Sequence, residues 1–324
     1  MPRRGWYHAA AMAPWRTLRP QSLRAGDRVR LVAPASPYEP AAYRAGRAAL
    51  SALGFRPLWH PAEAARQGFL AGDDAARAAR LRAAFAEADS RAVCCIRGGY
   101  GTARLLPLLE LASLAGARKI LVGFSDLTAL LVPLVAEQGL VCFHGPVLTQ
   151  LARLPAGDRA WLRALLTGQR GRGPVPLGRL RCVRAGSGEG RLLGGNLTVL
   201  ASLCGGPHAP RLSGCLACLE DVGEPAYRLD RAFRQLQASG AFAGVRGLIL
   251  GQLEGCTPAG RGEFGARAVL ERAALELGVP VVSGAPFGHG RRNVALPFGV
   301  RARLRAGGAA GGVLELTEPA VEAG

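Results

Sequence analysis

Lysine is almost absent from this chain of 324 residues, since Lys119 is the only lysine among its 41 basic residues. Acidic residues are also few, and their number of 23 leaves a formal net charge of +18. A nucleic-acid-binding chain would place basic clusters and aromatic residues together on one element. Here the arginines are scattered, and a pair such as Arg291-Arg292 is too short for that purpose. We therefore interpret the charge as a composition bias and expect no specific nucleic-acid partner.

Long apolar runs are also missing. No run approaches the roughly 20 residues that a membrane-spanning helix needs, so we expect a soluble protein without a membrane partner. The N-terminal segment is basic but lacks an apolar core of signal-peptide length. Residues 1–22 are expected to form a poorly ordered basic extension, and Met1 and Met12 are both candidate start residues.

The eight cysteines show no metal-binding or disulfide pattern. Most lie in apolar, strand-like runs, where a thiol behaves as a small apolar group. Cys215 and Cys218 have the spacing of a metal or redox pair, but a second pair at zinc-ligand spacing is missing. The sequence therefore predicts no metal and no cofactor, and the cysteines favour a reducing cytoplasm.

Alternating strands and helices dominate the first half of the chain. This alternation predicts an α/β fold with a mostly parallel sheet and helices on both faces. The predicted strands are 29–33, 56–60, 92–96 and 119–122, and the predicted helices are 41–53, 73–88 and 127–138. In the second half we predict strands at 181–184, 215–220, 245–251 and 279–283, helices at 227–239 and 263–277, and a hairpin over 300–317.

These elements predict two domains, which is consistent with the length and with the apolar content of 49%. The N-terminal domain is expected over residues 23–155. A linker is expected at 156–180, because the periodic pattern weakens there and glycines accumulate. A smaller C-terminal α/β domain is expected at 181–324.

Ser125 lies in the turn between an apolar strand and an apolar helix. A serine on such a turn is held at the edge of the sheet with its hydroxyl exposed, and backbone N–H groups at the helix start point toward a nearby oxyanion. The same position also suits a helix cap, because Ser and Asp are favoured at helix starts. The turn alone is therefore consistent with two roles for Ser125, a nucleophile or a helix cap.

A nucleophilic serine needs a base, and the base needs a carboxylate that orients it. The chain has five histidines. His8 lies in the N-terminal extension, and His60 and His208 lie in proline-rich surroundings. His144 and His289 remain as candidate bases, and residue type alone does not separate them.

Several short motifs occur in the order typical of one family. They are Val32-Ala33-Pro34-Ala35-Ser36, Arg97-Gly98-Gly99-Tyr100-Gly101, Gly123-Phe124-Ser125-Asp126, His144-Gly145-Pro146, Gly194-Gly195-Asn196-Leu197, Leu219-Glu220-Asp221-Val222-Gly223-Glu224, Tyr227-Arg228-Leu229-Asp230-Arg231 and Pro286-Phe287-Gly288-His289-Gly290. From about residue 26 to about residue 316, the chain resembles the murein LD-carboxypeptidases, a family of serine peptidases that includes the microcin-C immunity peptidases.

The resemblance implies a Ser–Glu–His triad of Ser125, Glu220 and His289. Glu220 ends an apolar strand, so we expect it to be partly buried. Glu224 and Asp221 are the rival carboxylates. Ser125 lies in the expected N-terminal domain, whereas Glu220 and His289 lie in the expected C-terminal domain. This arrangement predicts an active site at the domain interface.

The glycine loop at 97–101 lacks the spacing of a dinucleotide-binding loop and the Gly-Lys-Ser/Thr of a P-loop. The resemblance implies instead an oxyanion hole, in which the backbone N–H of Gly99 acts together with that of Asp126. Gly98 is the neighbouring alternative. Arg97, Asn196 and Arg228 are the candidate substrate-binding residues, although both arginines are also suited to structural ion pairs across the interface.

The implied function is that of a cytoplasmic serine carboxypeptidase, which releases terminal D-alanine from a murein tetrapeptide during wall recycling and forms a homodimer. The motifs at 219–224 and 227–231 resemble the murein branch more than the microcin-C branch. One alternative is hydrolysis of a peptidyl or acyl adenylate of the microcin-C type. An alternative of another class is a non-catalytic α/β module that binds an anionic ligand through Arg97 and the glycine loop.

Overall fold

The computed structural model describes residues 17–257 and 264–323, and within them the chain forms two sheets. The first is six-stranded, and its strands β1 to β5 are all parallel because helices cross over between them. Their bounds are β1 Arg28–Val32, β2 Arg56–Leu58, β3 Ala92–Cys95, β4 Ile120–Gly123 and β5 Cys142–His144. Pro40–Ala52 forms α1, Asp74–Ala86 α2, Leu111–Gly116 α3, Thr128–Ala136 α4, Leu148–Leu151 α5 and Ala156–Leu166 α6.

Helix α4 is buried on all sides, from Thr128 to Val135. A helix that is apolar all round must lie inside the protein. It follows directly from the turn that carries Ser125, and it contacts both sheets. The candidate nucleophile is therefore fixed to the centre of the molecule.

The second sheet is eight-stranded and mixed. Its strands are β6 Gly173–Pro174, β7 Arg181–Arg184, β8 Gly186–Asn196, β9 Cys215–Val222, β10 Gly247–Glu254, β11 Val281–Ser283, β13 Arg301–Ala306 and β14 Gly312–Leu316, in the order β6-β14-β13-β8-β9-β10-β11-β7. The helices of this half are α7 Leu197–Ser202, α8 Ala226–Ala238 and α9 Ala266–Leu275. Strands β8 to β11 are parallel neighbours, so their carboxyl ends lie at one edge.

Strand β12, Leu296–Phe298, comes from the second half of the chain but joins the first sheet. It pairs antiparallel with β5, with Leu296 opposite His144. The two halves of the chain are thus interlocked through one edge strand.

The predicted α/β class with a parallel sheet and helices is confirmed. The range 156–180 was expected to be a linker, but it contains α6 and β6. The prediction missed the amphipathic helix α6 because the periodic pattern is weak in this part of the sequence. The C-terminal sheet has eight strands against six, so the C-terminal part is not the smaller one in strand number. β5, β8 and β12 are strands that the sequence pattern did not predict.

Residues 17–22 belong to the expected poorly ordered extension, but in the structure they make specific backbone contacts. The Leu18 N–H donates to the Gly139 carbonyl at 2.8 Å, and Gln21 forms a bridge with Glu322, so this segment contacts the middle of the chain and its C-terminal part. Residues 1–16, with His8 and both candidate start residues, lie outside the described residues, as does the expected helix start at Glu263.

Candidate active site

Ser125 occupies a strained turn directly after β4. Its φ is +64°, a left-handed conformation that costs a residue with a side chain about 1–2 kcal/mol. A short 3-10 helix, Ser125–Leu127, leads from this turn into α4. The Ser125 hydroxyl does not cap a helix but lies 2.9 Å from Nε2 of His289. The strand–turn–helix geometry is that of a nucleophile elbow.

A chain of two hydrogen bonds links Ser125 to a buried carboxylate. His289 Nε2 lies 2.9 Å from Ser125 Oγ, and Nδ1 of the same ring lies 2.7 Å from Oε2 of Glu220. Ser125 follows a strand of the first sheet, whereas Glu220 lies near the carboxyl end of β9 in the second sheet and His289 lies in the loop after β11. The structure therefore brings the three predicted triad residues together between the two sheets.

Two side chains hold the loop that carries His289, one from the loop itself and one from β10. The Gly288 N–H donates to Oδ1 of Asn293 at 3.0 Å, and the Gly290 N–H donates to Oε1 of Gln252 at 2.8 Å. Gly288 has a φ of +114°, and a Cβ at this position would lie 2.7 Å from Oε2 of Glu220. Only glycine lets the loop approach the carboxylate this closely.

Glu220 is fully buried. Burial raises the pKa of its carboxyl above the usual value of 4.5, while the hydrogen bond and the charge of His289 act in the opposite direction. A buried carboxylate next to the imidazole stabilises the imidazolium form that appears during proton transfer.

The rival carboxylates are occupied elsewhere. Asp221 accepts hydrogen bonds from Asn196 Nδ2 at 2.9 Å and from the hydroxyl of Thr198 at 2.7 Å. Glu224 lies 3.7 Å from Nη1 of Arg228. Neither forms a hydrogen bond with His289, so of the three candidate carboxylates it is Glu220 that contacts this ring.

His144, the other candidate base, lies in an aromatic core. It is fully buried, it stacks on Phe298 at 5.0 Å between ring centroids, and it meets the edges of Phe287 and Phe124. Burial, and to a smaller extent the charge of His289, lower the pKa of His144 to about 3. His144 therefore stays neutral near pH 7 and lies outside the hydrogen-bonded chain.

The glycine loop lies against Ser125. A Cβ on Gly98 would be 3.2 Å from the Ser125 hydroxyl oxygen, and a Cβ on Gly99 would clash with Oγ of Ser36. Gly99 also has a φ of +102°. The positive φ and the close approach to Ser36 require glycine at position 99, whereas a side chain at position 98 would press tightly against the nucleophile.

A cavity of about 370 Å³, here called the His289 cavity, opens beside the triad. Arg97 lines it and donates from Nη1 to the carbonyl of Pro37 at 2.7 Å. Arg228 does not line this cavity but is exposed on α8, where it contacts Glu224 and Tyr227. The lining residues are Glu39, Ala42, Arg97, Phe124, Thr149, Gln150, Arg153 and His289.

Asn196, the third candidate substrate-binding residue, makes hydrogen bonds within the protein. It is buried, its Oδ1 accepts the Val199 N–H at 3.0 Å as the cap of α7, and its Nδ2 donates to Asp221. Sequence analysis missed Gln150 and Arg153, which follow the carboxyl end of β5. Sites in α/β sheets form beyond such strand ends, so this rule could have indicated them.

Among residues 17–257 and 264–323, no cluster of His, Cys, Asp and Glu side chains could hold a metal ion. Cys215 and Cys218 lie inside β9 and are free thiols. Burial raises the pKa of the Cys215 thiol to about 12, so it is not a thiolate near neutral pH. Over the same described residues, none of the helices has the length and apolar content needed to cross a bilayer.

Comparison with known proteins identifies the family. Profiles of the LD-carboxypeptidase N-terminal and C-terminal domains match residues 29–145 and 189–304. A protein of Streptomyces coelicolor, whose carboxypeptidase name is itself provisional, is 39% identical over 310 residues, which cover 94% of this chain and 97% of that protein. The chain belongs to the LD-carboxypeptidase family. As a member of the LD-carboxypeptidases it is a peptidase and therefore a hydrolase.

Two further LD-carboxypeptidases are similar over most of their length. The murein tetrapeptide carboxypeptidase of Pseudomonas aeruginosa is 37% identical over 256 residues, which cover 74% of this chain and 80% of that protein. The crystal structure of muramoyltetrapeptide carboxypeptidase from Oxalobacter formigenes superposes with a TM-score of 0.77 and 30% identity, covering 89% of this chain and 98% of that one. The microcin C7 self-immunity protein has a TM-score of 0.83 at 23% identity, over 94% of this chain and all of that one, which shows the shared fold. The predicted family is confirmed.

Proposed function

We propose that this protein is a serine-type LD-carboxypeptidase that releases terminal D-alanine from a murein tetrapeptide. The observation that carries the proposal is the hydrogen-bonded chain from Ser125 Oγ through His289 to the buried Glu220. Activity on murein peptides is further supported by the relatives from Pseudomonas aeruginosa and Oxalobacter formigenes, whose names state that substrate.

In the proposed mechanism, Ser125 Oγ attacks the carbonyl carbon that is bonded to the L-centre of the diamino acid, while His289 Nε2 takes the hydroxyl proton. Glu220 holds the ring through Nδ1 and stabilises the imidazolium. The tetrahedral intermediate collapses as His289 gives the proton to the leaving amine, which releases D-alanine. A water molecule, activated by the same imidazole, then hydrolyses the acyl-enzyme.

The oxyanion of the intermediate is proposed to bind to the backbone N–H groups of Gly99 and Asp126. Asp126 is in the first turn of the 3-10 helix at 125–127, where backbone N–H groups have no intrahelical partner. Among the described residues, the N–H of Gly99 donates to no protein acceptor. Each donor of an oxyanion hole contributes roughly 3–4 kcal/mol to the stability of the transition state.

The test is to incubate the purified protein with L-Ala-γ-D-Glu-meso-diaminopimelate-D-Ala and to follow released D-alanine by mass spectrometry. The Ser125→Ala variant serves as the matched control. Release by the wild type alone supports the proposal. Hydrolysis of a peptidyl adenylate, with the tetrapeptide left intact, would reassign the protein to the microcin-C type. Ligand binding without hydrolysis of either compound would indicate a non-catalytic module.

We further propose a cytoplasmic homodimer. The eight cysteines are all free thiols, which is typical of proteins in a reducing compartment. The dimer is proposed from the family resemblance alone. Light scattering coupled to size-exclusion chromatography measures the mass in solution, and a mass of one chain would contradict the dimer.

A further inference from the structure

The two arginines of the His289 cavity differ in what they contact. Arg97 donates from Nη1 to the Pro37 carbonyl at 2.7 Å, so part of its guanidinium is already used. The guanidinium of Arg153 has no hydrogen-bond or ion-pair partner among the described residues, and the side chain is exposed. Its donors are therefore available to a ligand in the cavity.

The segment that carries Arg153 is fixed relative to the triad. It follows α5, and the Thr149 N–H donates to the Ile96 carbonyl at 3.1 Å, next to Arg97. Gln150 donates from Nε2 to the Gly288 carbonyl at 3.2 Å, directly before His289. Arg153 is thus attached to a turn that contacts both the glycine loop and the loop of the base.

The charge of the His289 cavity matches a single carboxylate. Its lining carries two guanidinium groups, Arg97 and Arg153, and one carboxylate, Glu39. Glu39 also lies 3.4 Å from Nη2 of Arg66 outside the lining. These three side chains together give the lining one excess positive charge.

The proposed chemistry places the leaving residue in this cavity. His289 must deliver its proton to the leaving amine, so that amine has to lie against the imidazole, which lines the cavity. In an α-amino acid the carboxyl carbon is two bonds from the amine nitrogen. The free carboxylate of the leaving residue therefore enters the same space.

We propose that Arg153 is a specificity-determining residue, which binds the terminal carboxylate of the leaving D-amino acid. This inference rests on the proposed carboxypeptidase function and deepens it. The planar guanidinium binds both oxygens of a carboxylate, which an amide cannot reproduce. Arg153 thus restricts cleavage to the free C-terminus and makes the enzyme an exopeptidase.

The test compares the free-acid tetrapeptide with its C-terminal amide. Both are assayed with the wild type, Arg153→Ala, Arg153→Lys and Arg267→Ala. Arg267 is an exposed arginine on α9 with the same charge but outside the cavity, so it controls for the loss of one positive charge. Thermal melting verifies that each variant is folded.

The wild type should prefer the free acid by roughly 10- to 100-fold in kcat/KM, the range expected for a hydrogen bond to a charged group. Arg153→Ala should lose that preference through slower cleavage of the acid with unchanged cleavage of the amide, Arg153→Lys should be intermediate, and Arg267→Ala should match the wild type. An Arg153→Ala enzyme that keeps the wild-type ratio would overturn the inference while the carboxypeptidase function stands. A wild type that cleaves neither substrate would instead reject the proposed function, and the inference with it.

Discussion

The carboxylate of Asp126 accepts two hydrogen bonds from a single residue, Thr102. The Thr102 N–H donates at 2.8 Å and its hydroxyl at 2.6 Å, both to Oδ2, and both residues are buried. Asp126 follows Ser125, and Thr102 follows the glycine loop at 97–101. The side chain of a proposed oxyanion donor therefore sets the position of the loop that carries the other donor, Gly99.

We expect Thr102→Val to lower kcat about tenfold with little change in KM. The substitution keeps the shape and the N–H but removes the hydroxyl bond, so the loop is held less firmly where the oxyanion forms. The free energy of unfolding should fall by about 1.5–3 kcal/mol, as for other hydrogen bonds to charged groups. Steady-state kinetics and denaturant titration measure the two effects.

Thr167→Val is the control, since it also removes a hydroxyl bond, to the carbonyl of Arg163 at 2.9 Å, far along the chain from the loop. It should reduce stability without changing kcat. Equal kcat for Thr102→Val and wild type would show that the hydrogen bond from the Thr102 hydroxyl to Asp126 is not needed for catalysis.

Ser125→Ala should fold and lose kcat/KM by three orders of magnitude or more, because it removes the proposed nucleophile. Alanine at φ +64° is as strained as serine, whereas glycine is not. Ser125→Gly should therefore be inactive but more stable than Ser125→Ala by about 1 kcal/mol. Hydrolysis of the tetrapeptide and chemical denaturation are the measurements, and an active Ser125→Ala enzyme would exclude a serine mechanism.

Glu220→Gln should lower kcat and, above about pH 4.5, raise the melting temperature relative to the wild type. Burial raises the pKa of Glu220 above 4.5, so the folded state binds more protons than the unfolded state. The free energy of unfolding therefore decreases as the pH rises from about 4.5 to the raised pKa. Glutamine is free of this penalty. The melting temperature of the variant relative to wild type should rise from about pH 4.5 upward and level off above the raised pKa.

In the same variant kcat should fall less than in His289→Ala, because orientation of the base is weakened but the base is kept. Differential scanning fluorimetry over pH 4–8 and kinetics on both variants provide the data. A Glu220→Gln protein that melts below the wild type at pH 8 would mean that the ionised pair with His289 is net stabilising.

His144 should make the fold sensitive to acid. Its pKa falls from 6.5 in the unfolded chain to about 3 in the folded protein, so the unfolded state binds the extra proton between these values. Stability is unaffected above pH 6.5 and decreases by about 1.4 kcal/mol for each pH unit below it, down to about pH 3. The difference in unfolding free energy between His144→Leu and wild type should follow this slope from pH 6.5 to pH 4.

Activity of His144→Leu at pH 8 should stay within a few-fold of the wild type, provided that the variant is folded. An inactive but folded His144→Leu, together with an active His289→Ala, would assign the base to the other histidine. Urea denaturation at four pH values and a tetrapeptide assay distinguish these outcomes.

The first half of the fold could be predicted from the sequence, because its strands are apolar runs and its helices have clear periodicity. Strand β8 was missed since Gly186–Asn196 is rich in glycine and has no strand pattern of its own. It becomes a strand through pairing with β9 and β13, and such tertiary pairing overrides local propensity. β12 contains Pro297, which a strand tolerates only at an edge or a bulge, as it occurs here.

The site was predictable where a local motif carried the chemistry, as for Ser125 and His289. It was not predictable where long-range packing decides what a side chain contacts. Asn196 lies in a motif beside Glu220 but points its amide at a helix start and at Asp221. Arg153 belongs to none of the motifs and reaches the site only through the turn after β5.

The insertion of β12 into the first sheet has a consequence for the newly made chain. Until residue 298 leaves the ribosome, β5 has an open edge, which is a template for pairing with other chains. Glu220 and His289 are also synthesised late, so the proposed nucleophile has no base while most of the chain is being translated. Assembly of the hydrolytic machinery and closure of the vulnerable edge thus occur in the same final stage of biosynthesis, and a fragment that ends near residue 180 should be both inert and prone to aggregate.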